Sequence, residues 1–364
     1  MPQETPGTES KLTGIKVVGI GGAGCSAVNR MIAESLRGVE YISINTDPQA
    51  LFLYDNPSKK ILIGQTITKG MGAGGNAEIG FKAIEENKSE VQEAIAGADL
   101  VFITAGMGGG TGTGAAPVVA EMAKSLGALT IAVVTTPFTF EGELRRSVAE
   151  RGIAELSGKV DTLITIPNDN LLNIVEKKTP LTEAFKMADK ILKEGVHGIT
   201  DIMMKPGLVN VDFADINTIM KDSGSALMGI GISSGDQKAV SAATDAINNP
   251  LQNARIDGAK GVLFCITGSP SMTLNEVNEA ANYISKAVAK DAKIIFGVVI
   301  DERYQDKVSV TVIATGFGNK EENSDFSDDT LDSGYSGFSA YSSYQQTDSD
   351  TDSFSDRFYK KQGK

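Results

Sequence analysis

The segment Leu100-Val-Phe-Ile-Thr-Ala-Gly-Met-Gly-Gly-Gly-Thr-Gly-Thr-Gly114 decides the fold of this chain. It begins with an apolar run of strand length, and the residues that follow it, Ala115-Ala-Pro-Val-Val-Ala-Glu-Met-Ala123, have a helical pattern. Glycines let backbone N–H groups crowd around an anion, and the start of a helix adds its dipole. This strand, loop and helix therefore predict a phosphate-binding turn and, with it, a bound nucleotide.

Apolar runs of strand length alternate with amphipathic helical segments along the first half of the chain. The predicted strands are Ile15–Ile20, Tyr41–Ile44, Leu100–Thr104, Leu129–Thr135 and Thr162–Ile166. This alternation is typical of an α/β fold with a parallel, Rossmann-like sheet and helices on both faces. Ligands of such sheets bind outside the carboxyl ends of the strands, where the glycine-rich loops fall.

Composition narrows the class of protein. The 364 residues suit two domains, and 41% hydrophobic content is enough for a core in each. A formal charge of −12 argues against nucleic acid as a partner, because phosphate-backbone binding needs clustered Lys and Arg. Cys25 and Cys265 lack the spacing of a disulfide framework or a metal site, and no apolar segment is long enough for a membrane span. We expect a cytoplasmic protein that does not insert into a membrane.

Two further glycine loops bear on the type of nucleotide. Gly19-Ile-Gly-Gly-Ala-Gly24 matches the G-x-G-x-x-G pattern, and Asp47 follows it where a dinucleotide enzyme would hold a ribose, so a nicotinamide or flavin cofactor is an alternative. Gly70-Met-Gly-Ala-Gly-Gly-Asn76 adds a third loop, which suits a triphosphate with a metal better than a pyrophosphate bridge. The chain lacks a Walker motif, so backbone N–H groups, helix dipoles and a cation would hold the phosphates.

An ordered series of segments resembles the tubulin/FtsZ family of GTPases. Gly108 to Gly114 is similar to the signature loop of that family, and Asn210-Val-Asp-Phe-Ala-Asp215 is similar to its catalytic loop in the bacterial form. Matching segments extend from Ile15 to Phe317 and include Ile44-Asn-Thr-Asp47, Thr136-Pro-Phe-Thr-Phe-Glu-Gly142, Ile166-Pro-Asn-Asp169 and Lys205-Pro-Gly-Leu208. The resemblance implies a GTPase that binds GTP and GDP with Mg²⁺.

The resemblance also assigns roles to individual residues. Residues that would wrap the phosphates are Gly21, Gly22, Ala23, Gly24 and Cys25 in the first loop and Gly108, Gly109, Gly110, Thr111 and Gly112 in the signature loop; Ala73, Gly74 and Gly75 would close over the terminal phosphate. Glu141 and Arg145 match contacts to ribose and phosphates, and Phe185 and Asp189 match contacts to guanine. Asn29 and Asn45 would assist with the base and the pocket. Family members often carry Asn or Gly at the position of Cys25.

Structural alternatives stand beside these roles. Glu141 begins a helical segment, where a carboxylate is favourable without any ligand. Phe185 belongs to an apolar helical stripe that is typical of core packing, and the single histidine, His197, fits a packed or capping residue better than a catalyst. Asp212 and Asp215 precede an amphipathic run, so they fit an N-cap and a first-turn charge.

In the functional alternative, Asp212, Asp215 and Asn210 orient and polarise the water that attacks the terminal phosphate. These residues follow the long helix Thr182–Met204, far from the edge of the sheet where we expect the glycine loops. The resemblance resolves this separation, because subunits of the family stack head to tail and hydrolysis requires assembly. A heterologous contact that does not close produces an open filament. A filament protein that binds nucleotide without turnover would leave both acids without a role.

The chain divides into five predicted segments: a flexible N-terminus, 1–13; a GTP-binding domain, 14–181; a central helix and catalytic loop, 182–222; a C-terminal α/β domain with a mixed sheet, 223–317; and a disordered tail, 318–364. The tail is rich in Ser, Asp and Gly, and too polar to form a core. The resemblance implies a division ring at midcell, the bacterial septum, with cell-division proteins and membrane tethers bound through the tail. The usual terminal peptide of the family is not recognisable in this tail.

Overall fold

The computed structural model describes residues 13–33, 38–52, 57–173, 180–204, 207–209, 211–248 and 256–317. The predicted flexible N-terminus, apart from Thr13, and the predicted tail lie outside these residues, as does Asn210. All elements given below belong to the described part.

The first half of the chain alternates strands and helices. Its elements are β1 (Ile15–Ile20), α1 (Gly21–Ala33), β2 (Val39–Asn45), α2 (Pro48–Phe52), β3 (Lys59–Leu62), α3 (Gln65–Thr68), α4 (Ala77–Glu86), α5 (Lys88–Ile95), β4 (Leu100–Gly106), α6 (Gly110–Ser125), β5 (Leu129–Thr136), α7 (Glu143–Ser157) and β6 (Thr162–Pro167). Short 3₁₀ turns at Thr139–Glu141 and Asn168–Asn173 follow β5 and β6.

A long helix leads into the second half. The remaining elements are α8 (Leu181–Met204), β7 (Gly207–Val209), α9 (Phe213–Met220), β8 (Gly224–Ser234), α10 (Lys238–Ile247), β9 (Gly261–Gly268), α11 (Leu274–Ala287), β10 (Lys293–Ile300), a 3₁₀ turn at Glu302–Tyr304 and β11 (Lys307–Thr315).

The strands form one continuous sheet in the order β3-β2-β1-β4-β5-β6-β8-β11-β9-β10-β7. The first six are parallel, and β6 pairs in parallel with only the start of β8, where Thr162 lies opposite Gly224. From Leu227 onward β8 pairs antiparallel with β11, so the second half of the sheet is mixed. The predicted fold class is therefore confirmed.

Alternating side chains of the buried strands divide the core into layers. In β4, Leu100 and Phe102 face a cluster that also contains residues of α1 and α8, whereas Val101 and Ile103 face the opposite cluster beneath α4 to α7. The first cluster continues past α8 to residues of β9 and β11, so α8 packs against both halves of the sheet. A third cluster lies between the second half of the sheet and α10 and α11. The helix α8 therefore connects the cores of the two halves of the chain.

Sequence patterns missed two edge strands. The four residues of β3 begin with Lys59 and Lys60, and β7 is only three residues long with Leu208 exposed. Neither has the apolar run of a buried strand, because each pairs along one side only. Among the described residues, no helix combines the length and the apolar character required to span a bilayer.

Candidate functional site

The phosphate-binding turns predicted after β1 and β4 lie side by side, because these strands are neighbours in the parallel sheet. Gly21 begins α1 with a positive φ of 73°, and a Cβ added to it would lie 3.0 Å from the amide nitrogen of Gly112 in α6. Neither helix carries an acidic residue in its first turn. Two helix N-termini therefore converge on one small region with no nearby carboxylate of their own to repel an anion.

The third glycine loop packs against the start of α6. A Cβ added to Gly110 would lie 2.7 Å from the Cβ of Ala73 and 2.9 Å from the amide nitrogen of Asn76, which caps α4. Nearby, the hydroxyls of Thr46 and Thr111 share a buried 2.7 Å hydrogen bond. The loop 73–76 thus lies against the signature loop, and the end of β2 braces Thr111.

A cavity of about 370 Å³ opens where α1, α6 and α8 meet the carboxyl ends of β4 and β5. Residues predicted to bind nucleotide that line it are Gly21, Gly22, Ala23, Gly109, Gly110, Thr111, Gly112, Glu141, Arg145, Phe185 and Asp189. Predicted residues that do not line it are Gly24, Cys25, Ala73, Gly74, Gly75 and Gly108. Gly74 and Gly75 line a neighbouring groove between α4 and α7.

Structural constraints account for the glycines behind the cavity wall. A Cβ added to Gly24 would lie 2.3 Å from the carbonyl oxygen of Thr104, so the close packing of α1 on β4 requires glycine there. Gly108 has a φ of 92°, and its amide donates a 2.8 Å hydrogen bond to the Thr113 hydroxyl. Gly24 and Gly108 therefore support the conformation of the turns and do not line the cavity.

Cys25 points into the protein interior. Its thiol lies 3.6 Å and 3.5 Å from the carbonyl oxygens of Gly19 and Ile44, and burial raises its pKa to about 12. The thiol therefore stays protonated and has a packing role.

One wall of the cavity is built from the loop after β5. Glu141 forms an ion pair with Arg145, one turn along, and its other oxygen accepts a 2.9 Å hydrogen bond from the amide of Phe138. Asp169 accepts hydrogen bonds of 2.7 Å and 2.6 Å from the amide and hydroxyl of Thr139. These contacts hold the loop after β5 in place, and Glu141 and Arg145 line the cavity.

The opposite wall belongs to α8. Phe185 is 41% exposed and meets Phe138 edge to face at 5.6 Å between ring centroids, so its ring lies at the cavity and not in the core. Asp189, one turn further along, accepts hydrogen bonds from Ser26 and Arg30. Burial raises the pKa of Asp189 above its ordinary value, and these two hydrogen bonds oppose that rise.

Sequence reasoning did not single out Asn168 as a site residue. It is buried and lines the cavity, and in the described part of the chain its side-chain oxygen has no hydrogen-bond partner. Its position directly after β6, at the carboxyl edge of the sheet, was the available signal. A buried acceptor of this kind is costly unless a ligand donor satisfies it.

Other candidate residues lie elsewhere. Asp212 is the N-cap of α9 and accepts a 2.8 Å hydrogen bond from the amide of Asp215, and both acids are exposed. Asp212 precedes α9 and Asp215 lies in its first turn. The helix leads into the amino-terminal end of β8, whereas the cavity lies at the carboxyl ends of the strands. Asn29, Asn45 and His197 do not line the cavity. The described structure therefore does not bring the acids and the glycine turns together.

Comparisons with known families cover both halves of the chain. Residues 14–176 match the model of the tubulin/FtsZ family GTPase domain. Residues 224–318 match the model of the FtsZ family C-terminal domain. Both matches agree with the resemblance drawn from the sequence motifs, which is confirmed, and the chain is a GTPase.

Solved structures give the same assignment. An empty FtsZ dimer from M. jannaschii is 44% identical, covers 85% of this chain and 89% of its own, and superposes with a TM-score of 0.81. A mutant of the same FtsZ gives 44% identity, 85% and 92% coverage and a TM-score of 0.82. The GTPγS-bound protofilament of CetZ2 from Haloferax volcanii, at 21% identity, 84% and 94% coverage and a TM-score of 0.69, shares the fold. This chain therefore belongs to the FtsZ family.

Proposed function

We propose that this chain binds GTP in the cavity between α1, α6 and α8, polymerises head to tail, and hydrolyses GTP at the interface between subunits. The filaments would form the division ring at the bacterial septum, in the cytoplasm at midcell. The observation that carries this proposal is the separation of the two halves of the reaction centre, because the phosphate turns and the candidate catalytic acids lie at different ends of the sheet strands.

The phosphates would lie against the N-termini of α1 and α6. Gly21 and Gly112 approach closely there and both line the cavity, so no side chain separates their backbones from phosphate oxygens in it. Thr111 adds a hydroxyl braced by Thr46. Ala73 to Gly75 would close over the terminal phosphate, and the packing of Ala73 against Gly110 supports that position.

The nucleoside would occupy the space between the two side walls. Phe185 offers an exposed ring for stacking, and Asp189 offers a carboxylate to the donor groups of guanine. Glu141 and Arg145 would contact ribose and phosphates from the facing wall. The side-chain oxygen of Asn168 could accept a hydrogen bond from a ribose hydroxyl or from the base.

The described residues of this site offer few ligands to a divalent cation. The described residues contain no cluster of three or more His, Cys, Asp or Glu that could hold a metal ion, and both carboxylates of the cavity already have partners. Mg²⁺ commonly keeps several waters and binds substrate phosphates. We therefore propose that Mg²⁺ would be held mainly by the nucleotide phosphates, with the Thr111 hydroxyl of the cavity wall as a candidate protein ligand, and that it would supply charge neutralisation there.

Hydrolysis would be completed by the next subunit. Asp212 and Asp215 are exposed, so they are available to enter the cavity of a neighbouring molecule together with Asn210. There they would orient a water whose oxygen forms the new bond to the terminal phosphorus while the bond to the bridging oxygen breaks. The products are GDP and phosphate. The dimer of M. jannaschii FtsZ and the CetZ2 protofilament support self-assembly as the means of bringing these parts together.

A decisive experiment measures GTP turnover per molecule as a function of protein concentration. Asp212→Asn is the informative variant, because Asn caps a helix as well as Asp does and the substitution removes only the charge. We expect wild-type turnover to rise from near zero at high dilution, and we expect Asp212→Asn to bind GTP but lose at least about 10-fold in turnover. Asp245→Asn, an exposed acid on α10, is the matched control. Full specific activity in dilute, monomeric protein would contradict the proposal.

Partners beyond the chain itself belong to the same proposal. Cell-division proteins and membrane tethers would bind the predicted tail, which lies outside the described residues. Deleting residues 318–364 should therefore leave GTP turnover intact and abolish recruitment of such partners.

A further inference from the structure

We propose that Ser26 and Arg30 are specificity-determining positioning residues that hold one oxygen of Asp189, so that the other oxygen recognises the donor edge of guanine. This inference rests on the proposed binding of GTP in the cavity. It extends that function to two residues of α1 that the sequence motifs did not single out.

The geometry joins two helices that are remote in sequence. The hydroxyl of Ser26 lies 2.8 Å from Oδ2 of Asp189, and Nε of Arg30 lies 3.1 Å from the same oxygen. Ser26 and Arg30 are four residues apart on α1 and therefore share one face of that helix. Both donors converge on Oδ2, and no described contact occupies Oδ1. Asp189 lines the cavity, so a free acceptor is available to a ligand there.

Burial makes this support necessary. The Asp189 side chain is only 13% exposed, and the loss of water around it raises the pKa of its carboxyl group. The hydrogen bonds from Ser26 and Arg30, together with the charge of Arg30, lower that pKa in opposition to burial. The two residues of α1 thus favour the ionised carboxylate, which is an acceptor at both oxygens.

The charge state of Asp189 decides which base is recognised. Guanine presents two adjacent donors, the ring N1–H and the 2-amino group, whereas adenine presents an acceptor at N1. An ionised carboxylate matches the guanine pattern, and a protonated one would place a donor there and lose the match. Hypoxanthine keeps N1–H but lacks the 2-amino group, so it reports the contribution of the second donor.

Other charged groups near Asp189 are already engaged or lie outside the cavity. Glu141 and Arg145 on the facing wall pair with each other, and Asp169, after β6, pairs with Arg146. On α8 and its outer side, Lys186, Lys190 and Lys193 line a separate groove together with Arg30. His197 lies two turns further along α8, so the test compares variants with the wild type at each pH.

The test measures dissociation constants for GTP, ITP and ATP between pH 5.5 and 8 by equilibrium titration of the full chain. For Ser26→Ala we expect GTP affinity at pH 7 to fall roughly 10-fold, with a smaller ratio between GTP and ITP affinities. As the pH falls, protonation of Asp189 weakens GTP binding, and this weakening should begin at a higher pH in Ser26→Ala than in the wild type. Ser26→Thr keeps the hydroxyl and should restore both properties.

Arg30→Gln provides a second variant, because it removes the charge and keeps most of the side-chain stem; it should shift the pH profile in the same direction. Ser241→Ala on α10 is the matched serine control, and thermal unfolding checks that every variant is folded. Wild-type affinities and pH profiles in folded Ser26→Ala and Arg30→Gln would overturn the inference. A wild-type protein that binds ATP as tightly as GTP would instead overturn the proposed function, so the two failures are distinguishable.

Discussion

At the scale of single residues, Cys25 shows how a residue in a phosphate-binding turn can serve packing alone. Its thiol faces backbone carbonyls of β1 and β2, and burial raises its pKa to about 12. The thiol therefore stays protonated at pH 8. Because the thiolate is the reactive form, the folded protein should resist thiol reagents.

We expect a chromogenic disulfide at pH 8 to modify neither Cys25 nor Cys265 in the native protein, because both thiols are buried. After unfolding in guanidinium chloride, the reagent should modify both thiols. Absorbance over time measures the number of thiols modified. Addition of GTP should leave both thiols of the folded protein unmodified. Rapid modification of one thiol in folded protein would show that the first turn opens.

At the scale of elements, α4 and α6 cross at backbone contact distance. A Cβ added to Gly114 would lie 2.0 Å from the carbonyl oxygen of Ala77, and one added to Gly80 would lie 2.2 Å from that of Gly110. Both obstacles are backbone atoms that cannot rotate away. This crossing holds the start of α4, and the loop before it, against the signature loop.

Gly114→Ala should therefore destabilise the protein by about 3 kcal/mol or more, since the helices must separate to accept a methyl group. Gly158→Ala is the matched control: Gly158 has right-handed helical angles with φ at −75°, and an added Cβ would lie 3.9 Å from its nearest neighbour. It should stabilise the fold by about 0.4–1 kcal/mol through the unfolded state. Urea unfolding of both variants measures the difference, and equal midpoints would contradict the close crossing.

At the scale of the whole molecule, the cavity and the exposed acids lie toward different ends of the strands, with α8 packed between the two halves of the sheet. If two subunits share each reaction centre, two inactive variants should complement each other. Asp212→Asn keeps an intact cavity, and Gly110→Leu keeps intact acids but forces a side chain into Ala73 and Asn76.

An equimolar mixture of these two variants should recover up to about a quarter of wild-type turnover, because that share of random head-to-tail contacts joins a good cavity to good acids. Phosphate release measures it, with each variant alone as the baseline. Absence of recovery at every mixing ratio would count against a shared centre.

Particular residues show what the sequence could and could not reveal. The strands of the buried sheet follow from their apolar runs, and the boundaries of β1 agree with the predicted Ile15–Ile20. The grouping of the glycine turns follows from the parallel topology. By contrast, the contact between Ser26 and Asp189 spans 163 residues and depends on how α1 packs against α8, which no local pattern encodes. Phe185 has the spacing of a core residue, yet its ring lies at the cavity wall because α8 is the boundary of that wall.

The strand β8 pairs with strands of both halves of the sheet, which restricts insertions and deletions within it. Its first residues pair with β6 and the rest with β11, and side chains at Ala226 and Met228 face one core while Leu227 faces the other. Successive residues of a strand point to opposite faces. A one-residue insertion near Leu227 would move every later side chain of β8 to the opposite face of the sheet. Selection should therefore eliminate mutations that change the length of this strand by an odd number of codons.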